Sequence, residues 1–159
     1  MLFHRALFAT DFSETSARAL EYVFQLHQAG CEEVVLVHVL DEKEISSVMA
    51  EPSGFIEPSG KFEREVAQRM ARNAEKNLDQ LIASLENTGL RVRTHLLEGV
   101  PDREIVRIAE AERVDVIVIG SHGKSNAIQR LLGTVSEGVI RNARQPVLVI
   151  HRDAPEDTG

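Results

Sequence analysis

Asp115-Val116-Ile117-Val118-Ile119, followed at once by Gly120-Ser121-His122-Gly123, is the stretch that decides the fold. Four consecutive β-branched residues make a strand that is apolar on both sides, and glycine-punctuated polar residues end it. Such a run belongs inside a parallel sheet that is covered on both faces. Runs of the same kind recur outward from it, at Leu2–Ala9, Glu33–Val39, Arg91–Leu97 and Pro146–His151, with Asp115–Ile119 as the fourth of five. The first, second, fourth and fifth are expected to be fully buried.

Between the runs the apolar period changes from two to about 3.6, which predicts helices over Ser13–Ala29, Phe62–Asn87, Pro101–Glu112 and Thr134–Asn142. In the second of these, Phe62, Val66, Met70, Ala74, Leu78, Leu81, Ile82 and Leu85 recur at three- and four-residue steps, and Gly89 follows as the stop. Pro101 suits a first helical position, and Thr134 with Glu137 reads as a capping box. The resulting order, βαβαβαβαβ, specifies an α/β fold with helices on both faces of a parallel sheet. One segment breaks this rhythm. Asp41–Lys61 holds Glu51-Pro52-Ser53-Gly54 and then Glu57-Pro58-Ser59-Gly60 around Phe55 and Ile56, and it reads as a long loop, either a surface excursion or a lid or partner contact.

The chain has 159 residues, 43% hydrophobic and 27% charged, which is the size and composition of one globular domain. We expect a single domain over 1–152 and a flexible C-terminal tail over 153–159. Eighteen Lys and Arg against 25 Asp and Glu leave a net charge of −7, which opposes binding to a phosphate backbone, so no nucleic-acid partner is expected. Arg141, Arg144 and His151 form the one basic cluster and read as a solvated face. The sole cysteine, Cys31, rules out an internal disulfide and a cysteine zinc site. It lies near a helix C-terminus, whose negative end would raise its pKa, and reads as structural. No apolar run approaches the ~18 residues of a membrane span, so no membrane partner and a cytoplasmic location are expected. His38 and His95 fall in strands and read as structural.

In open α/β sheets ligands sit beyond the carboxyl ends of the strands. Two loops there carry chemistry. Ala9-Thr10-Asp11-Phe12-Ser13 follows the first strand, and Gly120-Ser121-His122-Gly123-Lys124-Ser125 follows the fourth and leads to Gly133-Thr134-Val135-Ser136 at a helix start. The second loop has two residues between its glycines where a P-loop has four, and it lacks the three-glycine dinucleotide spacing. Gly133-x-x-Ser136-x-Gly138 is one residue too long for a nucleophile elbow. What remains fits a phosphate cradle: glycines admit an anion to the backbone, and a helix start offers unpaired N–H groups, a positive dipole end and the Thr134 and Ser136 hydroxyls. The same residues would also serve as a plain turn and cap.

The spacing Gly120-x2-Gly123-x9-Gly133-Thr134 resembles the nucleotide signature of the ATP-binding universal stress proteins. The resemblance extends to Leu7-Phe8-Ala9-Thr10-Asp11-Phe12-Ser13, Val37-His38-Val39 and Gln145-Pro146-Val147-Leu148-Val149-Ile150. It departs from the family pattern in Thr134, where many members have Ser, and in Ala9, where many have Pro. The resemblance implies a Rossmann-like open five-stranded parallel sheet of order 3-2-1-4-5. It implies ATP as ligand, with Ala9, Thr10, Asp11 and Val39 at the adenosine, Ile119 and Gly120 at the ribose, and Gly123, Gly133, Thr134, Val135 and Ser136 at the phosphates. It also implies a homodimer through the last strand, at Val147–His151, and a regulatory protein partner.

Ser13 can cap the following helix by itself, which leaves Asp11 to read the nucleotide or to ligate a Mg²⁺ or Mn²⁺ ion that accompanies the phosphates. His122 and Lys124 stand in the phosphate loop, and neither is assigned a catalytic role. The expected function is a nucleotide-dependent regulator or sensor in stress response, at most a slow ATPase, with no catalytic residue assigned. Two alternatives stand beside it: an ATPase or nucleotidyl-transferring enzyme using the same cleft, or a ligand-free interaction module.

Overall fold

Successive residues of a strand point to opposite faces, and each central strand divides its apolar side chains between two cores. Leu7, Ala9, Val35, Val37, Ile117 and Ile119 point one way and meet Ile105, Ile108, Ala109 and Val139. Phe8, Val34, Leu36 and Val118 point the other way and meet Ala19, Val23, Leu78 and Leu85. Burying each large side chain of this kind contributes about 1.5–3 kcal/mol relative to leaving it in water.

The computed structural model describes residues 2–49, 60–121 and 132–151. In chain order the elements are β1 (Arg5–Ala9), α1 (Glu14–Gln28), β2 (Glu33–Asp41), α2 (Glu42–Met49), α3 (Lys61–Glu86), β3 (Arg91–Gly99), α4 (Pro101–Ala111), β4 (Val116–Gly120), α5 (Thr134–Asn142) and β5 (Val147–Ile150). The sheet is parallel throughout, in the order β3-β2-β1-β4-β5. α1 and α3 pack on one face and α4 and α5 on the other. This is the Rossmann-like architecture expected. The order reverses between β1 and β4, which are direct neighbours, so the loops leaving their carboxyl ends open on one crevice.

Local expectations are met at several points. Ser13 caps α1, its hydroxyl accepting from the Ser16 N–H. Pro101 is the first residue of α4, and Gly89 (φ 96°) turns the chain after α3. Arg141 pairs with Glu137 at 2.7 Å and Arg144 with Glu110 at 3.6 Å, as a solvated face requires. Cys31 is buried, and its thiol is pushed up first by that burial rather than by the helix end. At the far edge of the sheet, His95 meets Glu112 at 2.8 Å.

Three expectations are corrected. The 41–61 segment is not all loop, because it contains α2. Asp41 Oδ1 accepts from the Lys43 N–H at 2.9 Å to start that helix, and Ile45, 1% exposed, anchors it to Leu40 and Ala74. The repeated Glu-Pro-Ser-Gly motif lies outside the described residues except for Gly60, the αL residue that precedes α3. The fifth strand is not fully buried: Val147, Leu148 and Val149 are half-buried and only Ile150 is enclosed, since β5 is a sheet edge with a neighbour on one side. Finally, the residue preceding α5 is Gly133, with no side-chain cap, so Thr134 sits one residue too late for the capping box, and Glu137 turns to Arg141 instead. The tail expected over 153–159 lies outside the described residues.

Candidate functional site

The turn after β1 is held by its own polar side chains. The Thr10 N–H donates to the Val37 carbonyl at 3.0 Å, and Thr10 Oγ1 accepts from the Phe12 N–H at 3.1 Å. Asp11 Oδ1 accepts from the Ser13 N–H at 3.0 Å and the Ser16 hydroxyl at 2.7 Å. Asp11 therefore shares in building the turn, and its carboxylate is fixed rather than free to rotate. Phe12 adopts φ 62°, a left-handed conformation uncommon for a bulky residue, and its ring lies 4.5 Å from that of His38. His38 Nδ1 lies 2.7 Å from the Thr10 carbonyl. A carbonyl only accepts, so Nδ1 carries the proton and the ring is a strut between β2 and this turn.

The second loop is clamped to the sheet at both described ends. The Ser121 N–H donates to the Ile150 carbonyl at 2.8 Å, and the Gly133 N–H donates to the Ser121 carbonyl at 2.7 Å. The Ser136 hydroxyl lies 2.7 Å from the Gly120 carbonyl and 3.1 Å from that of Ser121. Its proton is thus engaged by the backbone, and it pins the start of α5 to the end of β4. The first N–H to bond back within α5 is that of Glu137, to the Gly133 carbonyl at 3.0 Å. The amides of Thr134, Val135 and Ser136 consequently have no acceptor in their own helix, and they form the positive end of its dipole. Gly120 lets the end of β4 pack closely against the start of α1: a Cβ there would meet Thr15 Cγ2 at 2.7 Å.

Both loops open on one cleft of about 430 Å³, within the usual range for small-molecule sites. Ala9, Thr10, Asp11, Val39, Ile119, Gly120, Gly133, Thr134, Val135 and Ser136 all line it. Gly123, His122 and Lys124 lie outside the described residues. The cleft also takes in Phe12 and His38, which stood in sequence motifs without an assigned binding role, and residues that no motif marked: Asp41 and Glu44 at the β2–α2 junction, and Met70, Asn73 and Asn77 from α3. The α3 residues carried a weak sequence signal, since 70, 73, 74 and 77 share one helical face.

Charge is distributed unevenly around this cleft. Its described lining contains the carboxylates of Asp11, Asp41 and Glu44 and no lysine or arginine. The α5 amides are therefore the described feature that favours an anion, while the β2–α2 junction repels one. Among the described residues no group of three or more His, Cys, Asp and Glu is placed to hold a metal ion. A cation at this cleft would draw on a single carboxylate such as Asp11, together with a ligand's own oxygens and water, which suits Mg²⁺.

The universal stress protein family matches residues 2–151 of the chain. Universal stress protein MJ0577 of Methanocaldococcus jannaschii is 38% identical over 157 residues, covering 96% of this chain and 97% of its own. The solved MJ0577 structure superposes with a TM-score of 0.84 at 39% identity, over 98% of this chain and 100% of that one. Universal stress protein YxiE of Bacillus subtilis is 28% identical over 149 residues, 94% of this chain and 99% of its own. The fold is shared also by a universal stress protein of Archaeoglobus fulgidus in complex with dAMP, at 23% identity and a TM-score of 0.58, over 94% and 99% of the two chains. By sequence over nearly its whole length and by strand order alike, this chain is a member of the universal stress protein family.

Proposed function

We propose that this protein binds ATP and acts as a nucleotide-dependent regulator or sensor in stress response. The observation that supports this reading most is the meeting, at one cleft, of the turn after β1 and three amides at the start of α5 that have no acceptor in their own helix. Residues 1–152 act as one nucleotide-binding unit. The phosphates lie against the amides of Thr134, Val135 and Ser136 beside Gly123 and Gly133, and the helix dipole favours their charge. Ile119 and Gly120 border the ribose. Ala9, Thr10, Asp11 and Val39 hold the adenosine, and the bonds from Ser13 and Ser16 keep Asp11 aimed. A Mg²⁺ or Mn²⁺ ion at the phosphates offsets charge that the described lining does not neutralise, with Asp11 as its candidate protein ligand.

Hydrolysis is slow in this reading. The sequence marks no general base or arginine finger in the phosphate loops, and phosphoryl transfer depends on such groups. The output is therefore a change in the surface shown to a regulatory protein partner. Two copies pair through the exposed side of β5, over Val147–His151, where half-buried apolar residues sit on a sheet edge. The protein acts in the cytoplasm, and no described helix is long and apolar enough to cross a membrane.

The double variant Gly123→Val/Gly133→Val tests the reading. It should lose ATP binding in calorimetry while its circular dichroism remains native. Retained ATP affinity in the folded variant would overturn the assignment. Rapid metal-dependent ADP formation by the wild type would replace the sensor with an enzyme.

A further inference from the structure

We infer that Asn73 and Asn77 of α3 read the edge of the bound base and set the preference of this cleft for adenine over 6-oxopurines. The inference rests on the nucleotide reading above and extends it to residues outside every motif of the sequence. The cleft has two electrically different ends. The start of α5 presents amides at one, and Asp41 and Glu44 stand at the other, so a nucleotide enters with its phosphates toward α5 and its base toward β2, α2 and α3. Adjacent strands lie about 4.8 Å apart. From β4 across β1 to β2 is therefore about 10 Å, enough to separate the phosphate end from the base end.

At the base end, apolar side chains stand beside Asp41 and Glu44. Val39 and Leu40 line it from β2, and Met70 and Ala74 from α3. Asn73 and Asn77 stand beside Met70 and Ala74 on the same helical face, one turn apart, and both are exposed at the cleft. On its solvent side α3 carries mostly charge, including Arg69, Arg72, Glu75, Lys76 and Asp79, with Gln68 and Gln80 as further exposed carboxamides that do not line the cleft. At the two exposed positions of this face that line the cleft it carries asparagines. Asparagine is a poor residue for a helix interior, so two of them in the middle of a 26-residue helix run against local preference. Departures of that kind collect at functional positions.

A carboxamide holds a donor and an acceptor side by side. Adenine presents a matching pair at N6 and N7, a geometry that asparagine engages with both groups at once. A 6-oxopurine places an acceptor where adenine has its amino donor, which breaks half of that match. Met70 supplies a polarizable surface for the ring itself.

The test is calorimetric titration of wild type, Asn73→Ala, Asn77→Ala and the double variant with ATP, inosine triphosphate and inorganic tripolyphosphate, in Mg²⁺. The wild type should prefer ATP over inosine triphosphate by about 10-fold or more. The double variant should bind the two equally while its tripolyphosphate affinity stays unchanged. Both side chains are exposed and alanine favours helix, so each variant should melt no lower than the wild type. An unchanged ATP preference in the folded double variant would overturn the role of α3 and leave the nucleotide reading intact. A wild type that binds neither nucleotide would overturn both.

Discussion

Gly120→Ala is the substitution whose effect can be worked most fully from the structure. Gly120 ends β4 against the start of α1. A Cβ built there lies 2.7 Å from Thr15 Cγ2, 3.2 Å from Thr15 Cβ and 3.2 Å from its backbone carbon. Real Cβ atoms do not approach that closely, so either β4 or α1 must shift. Overpacking of this kind costs about 1–3 kcal/mol. Replacing glycine also restricts the unfolded chain, which returns about 0.4–1 kcal/mol. At mid-range values, about 2 lost and about 0.7 returned, the net loss is about 1.3 kcal/mol. Urea unfolding should show a lower midpoint at unchanged slope. The cause is tested by Thr15→Ser, which deletes Cγ2, the atom in closest conflict. In that background Gly120→Ala should cost about 1 kcal/mol less, a coupling that a double-mutant cycle reads directly. Equal cost in both backgrounds, or no cost in the wild type, would refute the steric argument.

Other predictions concern the parts that hold the site. Ser136→Ala removes the hydroxyl that bonds the Gly120 and Ser121 carbonyls and should cost about 1–3 kcal/mol in thermal unfolding, while leaving the α5 amides in place. Ser13→Ala removes the α1 cap and should cost about 1 kcal/mol, whereas Ser13→Asp should stay close to wild type. The Glu112 carboxyl is held below its ordinary value of 4.5 by the hydrogen bond from His95, with help from Arg93. Its stabilising contribution is whole above that value and is lost as pH falls through the lower folded pKa. The gap in urea stability between wild type and Glu112→Gln should accordingly narrow from about pH 7 to about pH 3. A gap that widens in acid would reverse the sign of this account.

The existence of the strands was legible because buried parallel strands are nearly continuous runs of Val, Ile and Leu, as in Val34–Val37 and Val116–Ile119, whereas their order in the sheet came from the family resemblance. Their surroundings were less legible. Val147-Leu148-Val149-Ile150 reads like a central strand, since composition does not tell which side lacks a neighbour. α2 was hidden by the Pro/Gly-rich repeat beyond it, although Asp41 before Glu42 and the apolar spacing of Ile45, Val48 and Met49 were its signals. At the cleft, the glycine-marked loop after β4 could be found from spacing, because it brings backbone rather than side chains to the site. The engagement of the Ser136 hydroxyl with carbonyls of Gly120 and Ser121 depends on tertiary geometry. So does the arrival of Asn73 and Asn77 at the cleft, since nothing local to α3 says which helical face meets the end of β2.

The central claim is that the cleft between the β1 turn and the start of α5 takes an adenine nucleotide. The direct measurement is to release any bound nucleotide from the purified protein by denaturation, identify it by mass spectrometry, and titrate the refolded, emptied protein with ATP, ADP and AMP in Mg²⁺. The account predicts saturable binding of ATP at one site per chain, displaced in the Gly133→Val variant. Native circular dichroism with no binding of any adenine nucleotide would contradict it and leave the glycine-marked loop after β4 as a structural turn.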